Sequence, residues 1–189
     1  METESAIRRR LIGRPALLLL GVALIPALLC TLLVRQFLPD WWQLSGFFWY
    51  SIPGNSFVWL PHEPAVLYAG ALYAPALVAL VGGMATALAS IIDHTLFTRM
   101  FQLERLAPIG RSRIMRVCLR LFGWQPWWTI VFFAFSPIPF YPIRLVAPLA
   151  RYPMVGYVSA VVVGRIPRYY LIALGGDWAR QLTQSFLPL

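Results

Sequence analysis

The chain of 189 residues contains no lysine, and charged residues of all kinds make up only 12% of it. Soluble domains usually carry about 25% charged residues. Hydrophobic residues account for 59% of the chain, which leaves too little polar surface to cover a soluble core. The composition therefore predicts an integral membrane protein with room for a single membrane domain.

Residues that build disulfides, metal sites and nucleophilic active sites are also scarce, with two cysteines and two histidines in all. Cys30 lies in an apolar stretch and Cys118 in an arginine-rich one, so we expect no disulfide between them. No metal-ligand spacing is present, and we predict neither a metal nor a cofactor. Asp93, His94 and Glu63 could act as acid–base groups, but no serine or cysteine nucleophile has a base at a suitable spacing. An enzyme is therefore the least favoured function.

Arginine supplies all 16 basic residues, and the net charge is +9. These arginines flank apolar stretches and do not form a polar face with interleaved aromatic residues, which argues against nucleic acid as a partner. An excess of positive charge on the cytoplasmic side of a membrane protein explains them better. Residues 1–15 are accordingly predicted to be a basic cytoplasmic N-terminus.

The first long apolar run occupies residues 16–34 and predicts a transmembrane helix over residues 16–38. A secretory signal peptide is the competing interpretation, because the run follows a positively charged start. The run is long, however, and Arg35, Gln36 and Phe37 follow it where a small-residue cleavage site would be expected. We predict a retained helix, then one membrane domain at 39–176 and a tail at 177–189.

Two proline-rich stretches interrupt the apolar sequence that follows. Pro61 and Pro64 flank Glu63, and Arg144 follows the prolines Pro137, Pro139 and Pro142. A proline inside a helix removes a backbone donor and clashes with the preceding turn. Broken backbone persists at bilayer depth only where it is buried in protein or lines a wet cavity. The two stretches therefore predict re-entrant hairpins over residues 47–68 and 124–150.

Matching proline-interrupted segments in two halves of a membrane protein point to an inverted repeat, although similar segments could also arise by chance in a proline-rich apolar chain. The predicted fold class is an all-α integral membrane protein built on an inverted repeat of two re-entrant hairpins. We expect about three to four spanning helices and one interfacial amphipathic helix. Beyond residues 16–38, the spans are predicted at 70–98 and 153–174.

The interfacial helix is predicted over residues 99–122, which contain six arginines and one glutamate. Its apolar residues follow the i, i+3, i+4, i+7 spacing of a helix face: Ile114, Val117, Cys118 and Leu121. Such a helix would lie in the cytoplasmic interface and bind anionic lipid headgroups. A basic loop that only fixes the topology explains the charge equally well.

Ionisable residues at bilayer depth are rare, because each costs roughly 2.5–3.5 kcal/mol on insertion scales. The acids among them fall in the first half of the chain and the arginines in the second, so pairing between the halves would lower this cost. Arg168 could instead reach the outer interface, and Asp93 could be solvated or paired with Arg99. The candidates are Glu63, Asp93, Arg144, Arg165 and Arg168.

Three short motifs resemble those of the DedA superfamily, also called the SNARE-associated or VTT-domain family. They are Leu-Pro-His-Glu-Pro at 60–64 running to Gly70, Ser-Pro-Ile-Pro-Phe at 136–140, and Gly-Arg-Ile-Pro-Arg at 164–168 followed by Ala-Leu-Gly at 173–175. The resemblance covers roughly residues 50–176. It implies an inverted-repeat fold with two re-entrant hairpins and movement of phosphate-headed lipids. The chain departs from the family at Ala134, where an arginine is common, and at Ala150, where a glycine is common.

The intramembrane charges and this resemblance together predict a transporter or scramblase of a phosphate-headed lipid, with proton coupling left open; the resemblance implies that the lipid is a polyprenyl phosphate or a phospholipid. Arg144, Arg165 and Arg168 are the candidate phosphate-binding residues, and Glu63 and Asp93 the candidate coupling or gating residues. The expected partners are membrane lipids with anionic headgroups, and a homo-oligomer is left open. The expected location is the plasma membrane (the bacterial inner membrane), multi-pass with a cytoplasmic N-terminus. The alternative is a structural or assembly protein whose buried charges only hold the fold.

Overall fold

The computed structural model describes residues 18, 21–22, 24–56, 60–101 and 113–186, and only the backbone of residues 101 and 113–115. All regular structure in these residues is helical, which confirms the predicted all-α class for this part of the chain. A 3-10 turn at Pro39–Trp41 precedes α2. The α-helices are α1 Leu24–Phe37, α2 Trp42–Gly54, α3 His62–Leu72, α4 Pro75–Phe101, α5 Arg113–Trp124, α6 Pro126–Phe135, α7 Tyr141–Leu149 and α8 Met154–Phe186.

The chain divides into two compact units, Met1–Trp42 and Gln43–Leu189. In the first unit, α1 exposes leucines along its length, and the Arg35 guanidinium lies 5.6 Å from the centre of the Trp42 ring. The predicted first span, 16–38, begins in residues that the structure does not describe.

Two described helices are long and apolar enough to cross a bilayer, Pro75–Met100 with a mean hydropathy of 2.0 and Met154–Phe186 with 1.2. Many large apolar side chains on these helices are exposed, among them Leu80, Met84, Val155 and Leu171. Exposed apolar surface on this scale marks an interaction surface, and a lipid bilayer is one such partner.

The proline-rich stretches break the helices near the predicted places. The chain leaves α2 at Gly54 and enters α3 at His62, and it leaves α6 at Phe135 and enters α7 at Tyr141. The helix α3 ends at Leu72, beyond the predicted bound of residue 68, and it accommodates Pro64 in its first turn, where a missing donor costs no helical hydrogen bond. The following helix accordingly begins at Pro75 and not at residue 70.

The last helix is much longer than the predicted 153–174, and the predicted tail at 177–189 is helical as far as Phe186. Two side-chain bonds from Asp177 support the extra turns, because Arg180 and Gln181 each donate to its carboxylate at 2.8 Å. Pairs at i, i+3 and i, i+4 stabilise exposed helices in this way. The sequence prediction was therefore wrong about where this helix ends.

The predicted interfacial helix corresponds to α5, since residues 99–101 belong to α4 and residues 102–112 lie outside the described part. In α5, Cys118 and Phe122 are buried, whereas Val117 and Leu121 are exposed. Arg116 and Arg120 are also exposed, and Arg113 and Ile114 lie outside the described side chains. The helix thus presents apolar and basic groups together on its free surface.

The core consists of two apolar clusters, and α8 contributes to both. The first joins α5, α6 and α7 to the start of α8 through Tyr157 and Val161. The second joins α2, α3 and α4 to α8 through Tyr169 and Ala173. Along α8, Arg165 and Arg168 fall between the two clusters. The fold therefore places a polar layer between two apolar ones.

Glycine permits the closest helix contacts on α8. A Cβ atom added at Gly70 of α3 would overlap the backbone of Ala173, and one added at Gly164 would lie 2.6 Å from the carbonyl oxygen of Val131 in α6. Small residues at helix crossings allow such close approach. The positions of α3 and α6 on α8 thus depend on these two residues.

Candidate functional site

A cavity of 730 Å³ lies where the two helix breaks meet. Both proline-rich stretches line it, and α7 and α8 add three arginines. Its lining residues are Gly54, Asn55, Leu60, Pro61, His62, Glu63, Pro64, Pro137, Ile138, Pro139, Phe140, Tyr141, Arg144, Arg165 and Arg168. Segments that are some 75 residues apart in sequence therefore form one site.

Arg144 is held by the fold on several sides. Its Nη1 and Nη2 donate to the carbonyl oxygens of Ser56 and Asn55, directly after the end of α2. Its Nη1 also lies 3.3 Å from Oδ2 of Asp93 in α4, and Ser56 Oγ donates to Oδ1 of the same carboxylate at 2.6 Å. A buried charge is tolerated when it is paired and hydrogen-bonded. This guanidinium therefore fastens α7 to α4 and to the first break.

Arg168 links α8 to both proline-rich stretches. Its Nη2 donates to Oε1 of Glu63, and its Nη1 donates to the carbonyl oxygen of Ser136. The Arg168 side chain is 13% exposed and the Glu63 side chain 61% exposed. The ion pair thus sits at the rim of the cavity, half open to the surroundings.

Arg165 differs from the other two arginines in its partners. Its guanidinium carbon lies 5.3 Å from the centre of the Phe140 ring and 5.9 Å from that of Tyr169. Its Nε is buried and finds no acceptor among the described residues, and neither of its Nη atoms pairs with a described carboxylate. Aromatic faces attract a cation without satisfying its hydrogen-bond donors. Arg165 therefore enters the cavity with its charge unpaired within the described part of the chain.

A hydrogen-bonded network of neutral side chains supports the cavity wall. Asn55 Nδ2 donates to Nε2 of His62 at 3.1 Å, and His62 Nε2 also lies 2.9 Å from Ser51 Oγ. The Tyr169 hydroxyl donates to Oδ1 of Asn55 and lies 3.0 Å from Oγ1 of Thr86. An amide nitrogen only donates, so Nε2 of His62 accepts and the ring is neutral.

The sequence did not predict Asn55, Thr86 or Tyr169 as part of the site. The only sequence signal for them is that each is a hydrogen-bonding residue in an otherwise apolar segment. Buried polar groups require partners, and a search for such residues would have found them. Their partners, however, come from other elements of the fold.

The structure brings four of the five predicted charged residues to the cavity wall, namely Glu63, Arg144, Arg165 and Arg168. Asp93 does not line the cavity but is paired with Arg144. Of the predicted hairpin breakers, Pro61, Pro64, Pro137 and Pro139 line the cavity, whereas Pro142 lies in the first turn of α7. His94 bonds the carbonyl oxygen of Tyr152 at 2.9 Å.

Position 134 on α6, where an arginine is common in the DedA superfamily, holds an alanine in this chain. It is fully buried, and a Cβ atom added at Gly164 would lie 2.7 Å from its own Cβ. A long side chain at position 134 has no space there. The cationic groups come instead from α7 and α8.

Chemically, the site offers fixed guanidinium donors in a partly apolar cavity. Among the described residues, no group of three His, Cys, Asp or Glu side chains is arranged to hold a metal ion. The arrangement is suited to receiving an anion that also carries an apolar part.

No protein-family model, curated protein or solved structure matches this chain. The resemblance to the DedA superfamily therefore stays a prediction from the three motifs.

Proposed function

We propose that this protein is a membrane transporter or scramblase that moves a phosphate-headed lipid, such as a polyprenyl phosphate or a phospholipid, across the bilayer. The observation that carries the proposal is the arginine-lined cavity between the two helix breaks. A guanidinium group stays charged when buried and binds phosphate oxygens through two parallel donors. The resemblance to the DedA superfamily supports the same function.

The helix breaks are proposed to be re-entrant hairpins of an inverted repeat. In support, α3 of the first half packs against α8 of the second, and α7 of the second half packs against α4 of the first. Two related halves, each of which packs its short helix against the long helix of the other, would show this reciprocal arrangement. In transporters of this kind, broken helices meet at a substrate site near the middle of the membrane.

Glu63 and Arg168 are proposed to act as a gate. Their ion pair joins α3 to α8 at the rim of the cavity, and protonation of Glu63 would remove the attraction and release Arg168. Asp93 is proposed to act more remotely, by holding Arg144 against the first break. A lipid headgroup and a proton would then compete for the same set of charges.

The proposed location is the plasma membrane, the inner membrane in a bacterium. The two membrane-length helices and the exposed apolar surface support an embedded protein. The basic segments favour a multi-pass arrangement with the N-terminus in the cytoplasm. The apolar and basic surface of α5 is suited to the cytoplasmic interface with anionic lipids.

The structural alternative retains one specific observation in its favour. The partners of Arg144 are two carbonyl groups and a carboxylate of the protein itself, so this residue can be explained by folding alone. Arg165 does not fit that explanation, because it pairs with no carboxylate and its buried Nε has no acceptor among the described residues.

Transfer by the purified protein in liposomes tests the proposal. We expect the wild type to move a fluorescent phospholipid faster than protein-free liposomes do. Replacing Arg165 and Arg168 together by glutamine should slow transfer by about tenfold or more, because each charge-assisted hydrogen bond contributes roughly 1.5–3 kcal/mol. Arg180→Gln, an exposed position on the same helix, is the matched control and should transfer normally.

Two outcomes would contradict the proposal. One is a folded wild type that moves lipid no faster than empty liposomes, which would favour the structural alternative. The other is a double variant that transfers as fast as the wild type.

A further inference from the structure

Resting on the proposed function and narrowing it, we infer that Arg165 alone receives the headgroup in the resting state, and that the cavity selects a phosphodiester with a single negative charge, hence a phospholipid and not a polyprenyl phosphate. The three arginines that line the cavity differ in their partners. Arg144 and Arg168 pair with carboxylates of the described chain, and Arg165 does not.

Two of the three positive charges are already balanced. Arg144 pairs with Asp93 and donates to two backbone carbonyl groups. Arg168 pairs with Glu63 and donates to the carbonyl oxygen of Ser136. A ligand that recruited either arginine would first have to displace partners that the fold holds in place.

Arg165 has no such partner within the described chain. The rings of Phe140 and Tyr169 hold its guanidinium in position, and hydrogen bonds to Asn55 and Thr86 fix the Tyr169 ring in turn. The guanidinium of Arg165 is therefore held in position, while its buried Nε has no acceptor among the described residues. A partly buried charge without a counter-ion is costly, and an anionic ligand would lower that cost.

The net charge of the wall sets the charge of the ligand. Glu63 balances Arg168, Asp93 balances Arg144 from behind the wall, and His62 is neutral by its hydrogen bonding, which leaves the single positive charge of Arg165 among the described residues. A phosphodiester carries one negative charge and balances it. A phosphomonoester carries about two at pH 8, so it would leave one negative charge uncompensated.

Glu63 is then a specificity-determining residue. When it is neutral, Arg168 becomes a second unpaired cation and the wall carries two positive charges. The same cavity would then accept a phosphomonoester. The identity of the preferred headgroup should therefore change with a single substitution at the rim.

Calorimetric titration of the detergent-solubilised protein at pH 8 tests this inference without requiring transfer. The probes are dihexanoyl phosphatidylglycerol, a phosphodiester, and dihexanoyl phosphatidic acid, a phosphomonoester. The wild type should bind the phosphodiester at least about tenfold more tightly, since one charge-assisted bond is worth that much. Arg165→Gln should lose this binding by a similar factor, and Arg180→Gln should keep it.

Glu63→Gln provides the sharper result, because it should gain affinity for phosphatidic acid and reverse the preference. A thermal midpoint for Arg165→Gln at or above that of the wild type shows that the variant is folded, as expected for removal of an unpaired charge. Glycerophosphoglycerol, the headgroup without its tails, distinguishes the sources of the phosphodiester. If glycerophosphoglycerol binds about tenfold or more weakly than dihexanoyl phosphatidylglycerol, the ligand is a lipid; if the two bind equally, it is a free phosphodiester. The preference for a single negative charge is retained in both cases.

Unchanged phosphatidylglycerol binding in folded Arg165→Gln would overturn the inference, and so would the same preference in the wild type and Glu63→Gln. The proposed function fails separately. If the protein binds phosphatidylglycerol as expected but transfers no lipid in liposomes, the transport proposal is rejected and the binding site is retained. If it transfers lipid without this headgroup preference, the inference about ligand charge is rejected and transport is retained.

Discussion

Arg144 of α7 and Asp93 of α4 form an ion pair in the protein interior, with Nη1 3.3 Å from Oδ2 and side-chain exposures of 8% and 1%. The two residues come from different halves of the chain. Their pairing, together with the hydrogen bonds of Arg144 to the first break, ties α7 to α4 and to that break. The position of Arg144 in the cavity wall is thus fixed by contacts within the protein and does not require a bound ligand.

Arg144→Met is expected to lower the free energy of unfolding by about 3–5 kcal/mol, because it leaves the Asp93 charge buried without its counter-ion. The double variant Arg144→Met, Asp93→Leu should recover a large part of that loss. Unfolding in mixed micelles with increasing SDS would measure both. Strictly additive effects would show that the two charges do not interact as the geometry indicates.

Gly70→Ala is expected to destabilise the protein, because the added methyl group would overlap the Ala173 backbone on α8. Overpacking of this kind costs about 1–3 kcal/mol. Gly123→Ala is the matched control, since nothing lies within 4 Å of the added atom, and it should be neutral or stabilising by up to about 1 kcal/mol. Equal midpoints for the two variants in thermal unfolding would show that α3 and α8 are not in close contact.

Arg151→Gly is expected to stabilise the protein by about 1 kcal/mol. Arg151 has a φ of 55°, and the bonds Tyr152 N–H to Ala147 O (2.9 Å) and Arg151 N–H to Pro148 O (3.1 Å) form a Schellman motif that ends α7. Glycine is favoured at this left-handed position. Arg151→Ala removes the same charge without relieving the backbone, so a similar gain from alanine would refute the explanation.

The topology of the chain yields a further prediction. The N-terminus and residues 111–116 should face the cytoplasm, and residues 39–46 and the C-terminus should face outside, because basic residues are retained on the cytoplasmic side. Single cysteines labelled from either side of intact cells and inverted vesicles would report this. Labelling of residues 111–116 and the N-terminus from opposite faces would reject it.

Sequence reasoning succeeded where one residue type has a strong local effect. Prolines at 61, 64, 137 and 139 predicted two interrupted helices, and the structure places both interruptions at one cavity. Charged residues in apolar stretches predicted most of the wall in the same way, because a charge at such a position requires a special environment.

Pairing and helix length could not be predicted, because they depend on distant parts of the chain. The sequence offered Arg99 and the second-half arginines as partners for Asp93, and only the fold selects Arg144. Thr86 meets Tyr169 across 83 residues, for which no local pattern exists. The last span was predicted to end at residue 174, whereas Gly175 and Gly176 lie inside α8 and Gly176 packs closely against Leu67.

Blocking the cavity tests most directly whether lipid passes through it. Ile138 lines the cavity and is 44% exposed, so a cysteine there should react with a bulky maleimide. Leu182, 40% exposed near the end of α8, is the control position. Both would be made in a background without Cys30 and without Cys118, whose thiol is buried and has a raised pKa because of that burial.

Lipid transfer would be measured in liposomes before and after complete labelling of each variant. We expect labelled Ile138→Cys to lose nearly all transfer and labelled Leu182→Cys to retain it. Undiminished transfer with a bulky group attached at position 138 would contradict the account, because the lipid would then cross by a route that does not include the cavity.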